Sequence, residues 1–354
     1  MDDCAAAFSE QVREAAAVKT PLRITGGGSK DFYGGPLRGA VLDTRRHAGI
    51  VAYDPTELVI TARAGTPLTE IEAALAGAGQ MLAFEPPHFD EAATLGGVIA
   101  AGLSGPRRAA AGSARDFVLG VKMIDGRGEL LNFGGQVMKN VAGYDVSRLM
   151  AGAMGCLGLL LEVSLKVLPL PAMETTLRLE VPQGRALELL NGWAGRPLPI
   201  SASCWEDDVL MLRLSGANAA VAAASRQFGG DSVADGAAFW RALREQHAAF
   251  FADDTPLWRL SLPSVAAPLD LPGVQLLEWG GSLRWLKSGA APGRIRAAAS
   301  RAGGHATLFR GGEEARAEGV FQTLPPPLLA LHRQLKRAFD PAGIFNPGRL
   351  YREF

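Results

Sequence analysis

Cysteine is scarce in this sequence. The 354-residue chain holds three, Cys4, Cys156 and Cys204, far apart and with no CxxC pair. Neither a disulfide framework nor a self-contained iron–sulfur or zinc site is therefore encoded, and a cluster-based electron carrier would have to be another protein. Net charge is lacking too: 36 Lys and Arg balance 36 Asp and Glu. That balance removes any broad attraction to nucleic acid or to an anionic membrane, so partners must be recognised locally. Long hydrophobic runs are missing: the uncharged stretch from Leu149 to Leu161 falls short of the ~20 apolar residues of a spanning helix. The acidic start MDDC has no basic region of the kind that opens a signal peptide, and a cytoplasmic protein is expected.

What is present describes an ordinary globular chain, 48% hydrophobic and 20% charged, long enough for two domains. Glycine is concentrated in the first half. Residues 23–30 read RITGGGSK, three glycines straight after a short strand signal. Consecutive glycines leave their N–H groups unshielded and can bend into a nest whose amides converge on a phosphate, with Ser29 and Lys30 adding a hydroxyl and an ammonium. A plain turn is the competing reading. No long helix pattern follows, which argues against a Rossmann fingerprint.

A second glycine-rich stretch, ATLGGVIAAGLSG, places Thr94 as the cap of a helix whose early positions Gly96, Gly97, Ala100 and Ala101 carry little bulk. Free amides at its start suit a diphosphate; close packing on a sheet would need the same small residues. Around these lie an opening helix (AAAFSEQVREAAAVKT), strands GAVLDTRR and ELVITARAG, and a helix TPLTEIEAALAGAG with Thr66 as N-cap and Pro67 first in the helix. MLAFEPP reads as a strand ended by prolines. A hairpin is expected at DGRG, Asp125 to Gly128, and LLLEVSLKVLP should point Leu161, Val163, Leu165 and Val167 inward with Glu162, Ser164 and Lys166 outward.

From about Ala172 the order is strand, helix, strand, strand, helix, an α+β, ferredoxin-like arrangement, followed by a weaker second round. The chain closes on PPPLLALHRQLKRAF, a helix with Leu328, Leu331 and Leu335 on one stripe, and a Pro/Gly loop in which Asn346 suits a ring edge or its own turn. The expected division is 1–171, a flavin domain; 172–312, a smaller cap; and 313–354, a segment returning to the first.

Four motifs in order, RITGGGSK, TLGGVIAAGLSGPRRAAAGSARDFVLGVKMIDGRGE, MKNVAGYDVSRLMAGAMGCLGLLLEVSLKVLPLP and AFDPAGIFNPGRL, resemble the FAD-binding flavoproteins of the vanillyl-alcohol oxidase and p-cresol methylhydroxylase (PCMH) type. More narrowly they are similar to the glycolate oxidase branch of that family. The resemblance implies an α+β fold, with a two-subdomain PCMH-type FAD domain and a ferredoxin-like cap. It implies that Gly26, Gly27, Gly28 and Ser29, with Lys30, hold the FAD pyrophosphate, assisted by Thr94, Gly96 and Gly97. Pro86, Gly105, Arg108, Gly112 and Arg115 would lie on the flavin side, with Asp116 orienting Arg115. Gly158, Glu162 and Val163 would pass the adenine, and Asn346 would meet the flavin edge. For several of these the bland alternatives stand beside the implied role: a surface salt bridge for Asp116, an ordinary amphipathic strand for Glu162 and Val163, helix capping for Tyr144 and Asp145.

The chemistry implied is oxidation of a 2-hydroxy acid, glycolate to glyoxylate, with hydride passing to the flavin. Relatives acting on such substrates carry a histidine-rich motif. Here the five histidines are scattered, with no HxH or HxxEH cluster, and His88 beside FEPP is the one worth testing. No histidine occupies the first glycine loop, so FAD is expected to be non-covalent. The resemblance implies a subunit that does not oxidise glycolate alone, working beside a larger homologous flavin subunit and an iron–sulfur subunit. Attachment to the inner face of the cell membrane would run through those partners. A self-sufficient dehydrogenase and a structural subunit with a vestigial flavin site are the alternatives.

Overall fold

The computed structural model describes residues 3–135, 145–316 and 318–353. Chain contacts divide it into two units: Met1–Leu103, Ser113–Pro169 and Thr323–Phe354 form the first, Ser104–Gly112 and Leu170–Gln322 the second. The second unit thus takes in residues 104–112, 170–171 and 313–322, which the sequence assigns to the flavin domain and the terminal segment.

The first unit opens with the expected helix, Asp3–Val18, whose Phe8, Val12 and Ala15 recur at helical spacing and pack on Leu22, Leu42, Ile344 and Phe345. Two parallel strands follow, β1 (Leu22–Thr25) and β2 (Ala40–Asp43). A five-stranded antiparallel sheet comes next. Its strands are β3 (Ile50–Asp54), β4 (Val59–Arg63), β6 (Val118–Ile124), β7 (Leu130–Gly134) and β8 (Leu159–Lys166), in the order β3-β4-β8-β6-β7. A small pair, β5 (Gln80–Met81) with β9 (Leu168–Pro169), completes the unit's strands among the described residues.

The hairpin at Asp125–Gly128 joins β6 to β7 as expected. Strand β3 escaped the sequence reading, and of MLAFEPP only Met81 lies in a strand, the chain turning at Glu85, which sits at a φ of 47°. Thr66 does not cap the next helix. Its hydroxyl bonds to Gly49, accepting from N–H at 2.9 Å and donating to C=O at 3.2 Å, so Pro67 becomes the cap of Leu68–Gly77. Ser164, expected outward, is buried because β8 lies at the centre of its sheet, where its hydroxyl meets that of Thr61 at 2.8 Å. Asp145 caps the short helix Val146–Leu149, accepting from Arg148 N–H at 3.2 Å. Tyr144 and the rest of residues 136–144 lie outside the described residues.

The terminal helix, Pro326–Phe339, turns its leucine stripe outward: Leu328 and Leu331 are exposed, and Lys336 is its buried side chain. A buried ammonium needs partners, and this one has three. Lys336 Nζ donates to Cys156 O at 2.8 Å, Phe345 O at 2.8 Å and Asp340 Oδ2 at 2.7 Å. Asp340 in turn accepts from Ile344 N–H at 3.1 Å and Phe345 N–H at 2.8 Å. That lock sets the tail beside β1, where Leu22 bridges Phe345 in parallel.

The second unit is one eight-stranded antiparallel sheet. Its strands are β10 (Met173–Glu180), β11 (Ile200–Glu206), β12 (Val209–Gly216), β13 (Asp231–Ser232), β14 (Leu257–Ser261), β15 (Val274–Glu278), β16 (Leu283–Lys287) and β17 (His305–Arg310). Their order is β13-β10-β12-β11-β15-β16-β14-β17. The first four, with helices Gln183–Ala194 and Asn218–Phe228, form a ferredoxin-like βαββαβ unit. The last four repeat its order in reverse across the β11–β15 seam, so the weaker second round is a true topological repeat. Its first helix is replaced by the loop between β14 and β15, whose Ala266 and Ala267 carbonyls accept from the guanidinium of buried Arg284.

Replacing Asp340 with Ala should leave the Lys336 ammonium buried without its anion and two amides without acceptors. The expected loss is about 3–5 kcal/mol, read from urea unfolding. A loss under about 1 kcal/mol would mean that the pair does not hold the tail.

Candidate functional site

The first unit contains a cleft with about 880 Å³ of space between its atoms, a volume that includes open solvent. The loop after β1 forms one wall (Ile24 to Asp31), and helix Leu95–Ala101 forms a second. A third comes from Met150 to Gly158, and Asn346 and Arg349 join the lining from the tail. Ten residues singled out in the sequence meet here: Gly26, Gly27, Gly28, Ser29, Lys30, Thr94, Gly96, Gly97, Gly158 and Asn346.

Backbone dominates the loop. A Cβ on Gly27 would fall on the carbonyl of Ala92, and one on Gly26 would collide with Thr94 Oγ1. The two segments therefore approach more closely than any side chain permits. Among the described residues, the N–H groups of Gly26, Gly27, Gly28 and Ser29 have no backbone acceptor. Gly28, at a φ of 75°, supplies the left-handed turn. Unpaired amides on successive residues lining a cleft suit an anionic oxygen.

Opposite them, Thr94 is 5% exposed and its hydroxyl has no hydrogen-bond partner among the described residues. It stands at the N-cap position of helix Leu95–Ala101 without closing a cap bond. The helix offers fewer free donors than its sequence promised. Leu95 N–H donates to Thr66 O at 3.0 Å and Gly96 N–H to Ala64 O at 2.7 Å. Gly96 packs the helix on Ala64, the residue after β4, whose Cβ lies 2.8 Å from where a Cβ of Gly96 would stand. Close packing accounts for Gly96, and the amide of Gly97 is the one left without a backbone acceptor among the described residues.

The charged groups of the cleft brace its walls. Lys30 Nζ donates to Ser29 Oγ and to His88 O, each at 3.1 Å. Asp31 pairs with Arg23. Arg349, buried at 5% exposure, reaches the carbonyls of Asp31, Tyr33 and Gly35 and so fixes the loop beyond the glycines. Arg349 was quoted in the terminal motif without a role; its place just after the Pro-Gly turn was the only signal available. Asn346 accepts from Ile24 N–H at 2.8 Å and donates to Met154 O at 2.7 Å, bridging two walls.

The remaining sequence candidates do not line this cleft. Glu162 pairs with Lys122 at 2.7 Å and Val163 is buried within β8. Arg115 is exposed. Asp116 accepts from Ser113 N–H and Oγ in a capping box, and the Ser113 hydroxyl holds its carboxyl below the usual range. The expected orienting role toward Arg115 gives way to that box, because a local amide and hydroxyl are closer partners than a solvated guanidinium. Pro86 is buried in its loop, and His88 Nε2 lies 3.0 Å from Glu72 Oε2. Gly105, Arg108 and Gly112 belong to the second unit, where Arg108 stacks 4.4 Å from the ring centre of Trp279 and the Trp279 indole donates to Gly105 O at 3.0 Å. Gly112 ends the short helix there at a φ of 110°.

The unpaired amides and the unpartnered hydroxyl fit the phosphates of a dinucleotide, and comparison with known proteins agrees. Residues 3–134 match the family model for the FAD binding domain, and residues 315–350 match that of the C-terminal domain of FAD linked oxidases. The chain is 54% identical over 351 residues to glycolate oxidase subunit GlcE of Escherichia coli (strain K12), covering 99% of this chain and 98% of that protein. The chain belongs to the FAD-linked oxidases of the PCMH type. Other relatives match more narrowly. Glycolate oxidase subunit GlcD of Bacillus subtilis (strain 168) is 30% identical over 45% of this chain and 34% of its own length. D-lactate dehydrogenase of Archaeoglobus fulgidus is 30% identical over 46% of this chain and 36% of its length. Among solved structures, alkyldihydroxyacetonephosphate synthase superposes with a TM-score of 0.63 at 15% identity, over 96% of this chain and 73% of that one; this shows a shared fold.

Thr94→Val keeps the shape and removes a desolvated hydroxyl, so the flavin-free protein should gain about 1 kcal/mol by urea unfolding. Gly27→Val forces the loop off Ala92 and should cost about 1–3 kcal/mol in the same measurement. A stabilised Gly27→Val with a destabilised Thr94→Val, or two silent changes, would contradict this close approach.

Proposed function

We propose that this chain is the FAD-binding subunit of a glycolate oxidase (glycolate dehydrogenase) complex and takes part in the oxidation of glycolate to glyoxylate. The end-to-end match to GlcE carries the reading, since it spans both units. In this reading the amides of Gly26, Gly27, Gly28, Ser29 and Gly97, with the Thr94 hydroxyl, hold the FAD pyrophosphate. Gly158 leaves room along the third wall, and Asn346 fixes the edge of the cleft. Bound FAD supplies the hydride acceptor.

The chain's own contribution is binding and orientation. Among the described residues lining the cleft there is no histidine, and Lys30, Asp31 and Arg349 are engaged with Ser29, Arg23 and loop carbonyls. Abstraction of the glycolate hydroxyl proton needs a base with a free lone pair in reach of the substrate. We assign that step to the assembled complex, with a larger homologous flavin subunit. Electrons leave through an iron–sulfur partner, because Cys4, Cys156 and Cys204 form no disulfide and no metal-binding cluster among the described residues, and two of them are buried. Among the described residues no helix is long and apolar enough to cross a membrane. We place the complex on the cytoplasmic side, with any membrane attachment made through partners.

The chain purified alone should show the visible spectrum of oxidised flavin, keep it when glycolate is added without oxygen, and release its flavin on acid precipitation. Bleaching by glycolate would establish a self-sufficient dehydrogenase, and a colourless protein that takes up no added FAD would defeat the proposal. Gly27→Val should lose flavin, and Thr94→Val should bind it about tenfold or more weakly. His88→Ala should keep its full flavin content, since its ring contacts Glu72 outside the cleft.

A further inference from the structure

Two non-glycine residues of the cleft wall sit in the left-handed region of backbone space: Met154 at a φ of 54° and Asn346 at a φ of 41°. Each conformation is sparsely populated, and such strain persists only where the surroundings over-determine it. The two face each other, because Asn346 Nδ2 donates to Met154 O at 2.7 Å. Both line the cleft.

One group reaches the backbone next to both. Lys336 Nζ donates to Phe345 O, the carbonyl just before Asn346, and to Cys156 O, two residues past Met154, each at 2.8 Å. Its third donor goes to Asp340, whose two oxygens take the amides of Ile344 and Phe345. The Cys156 thiol also meets Asn346 O at 3.5 Å, and burial pushes that thiol up, so it stays a neutral donor. An ammonium is a compact charge with three donors in a tripod, which suits three separate acceptors and which a planar guanidinium cannot reproduce.

We propose that Lys336 is a positioning residue for the FAD cleft: its ammonium clamps the Met150–Gly158 wall to the terminal loop and so holds Asn346 and Met154 in their strained, cleft-lining conformations. The proposal rests on the reading of this cleft as the flavin site. It separates two roles that a single substitution confounds. Stability needs the buried charges to be balanced; cleft geometry needs the Phe345 and Cys156 carbonyls to be held. Replacing both members of a buried pair by apolar residues restores the first without the second.

The test compares the full chain with Lys336→Met, Lys336→Arg and the double variant Lys336→Met/Asp340→Leu, by urea unfolding, by FAD titration and by the visible circular dichroism of the bound flavin. Lys336→Met should be unstable and bind FAD poorly. The double variant should recover stability relative to Lys336→Met yet bind FAD about tenfold or more weakly than the parent, with an altered visible dichroism. Lys336→Arg should not restore either property. A double variant with parental FAD affinity and dichroism would overturn the proposal, as would full rescue by Lys336→Arg. If the double variant fails to regain stability, Lys336→Met examined under stabilising osmolyte decides: parental affinity there also overturns it. A parent chain that takes up no FAD would refute the flavin reading itself and would be recognised as such before any variant is compared.

Discussion

The cleft exists because two stretches of main chain approach each other where no Cβ fits. Gly27 lies against the carbonyl of Ala92 and Gly26 against the hydroxyl of Thr94, so the glycine loop is pressed onto the segment that leads into helix Leu95–Ala101. Several contacts of the first unit support that approach. β1 and β2 deliver the loop, Lys30 and Arg349 fix its far side, and Asn346 ties β1 to the opposite wall. A site made of amides carries little sequence information beyond glycine itself, and its specificity comes from geometry.

That explains which parts were legible in the sequence. Periodicity and turn chemistry gave the opening helix, the DGRG hairpin and nearly every element of the second unit, since each reports its own local burial. β3 was hidden because it is an edge strand with an exposed Val51 and no alternating apolar face. Ser164 was misplaced because alternation presumes a one-sided sheet, and β8 is buried on both faces. Thr66 and Asp116 show another limit. Both are good capping residues by type, but Thr66 found a partner in distant Gly49, whereas Asp116 found one three residues away. Propensity cannot tell these apart.

Among the site residues, the first glycine loop and Thr94 could be read because glycine runs and capping threonines are rare enough to notice. Lys336 could not. It sits on a helix whose leucine stripe draws the eye, and its burial depends on Asp340, Phe345 and Cys156, the last of them 180 residues away. The two units differ in the same respect. The second is largely one continuous stretch with a repeated topology, whereas the first is assembled from three separate segments.

That discontinuity bears on how the protein is made. Leu22 N–H donates to Ile344 O at 2.7 Å and Asn346 N–H to Leu22 O at 2.9 Å, so the strand beside the glycine loop gains its outer neighbour only from the tail. On the ribosome, the eight-stranded unit is synthesised in full while the nascent first unit still lacks that neighbour. Asn346 and Arg349, which line the cleft, are thus joined to β1 and its loop only after the whole of the second unit has been made.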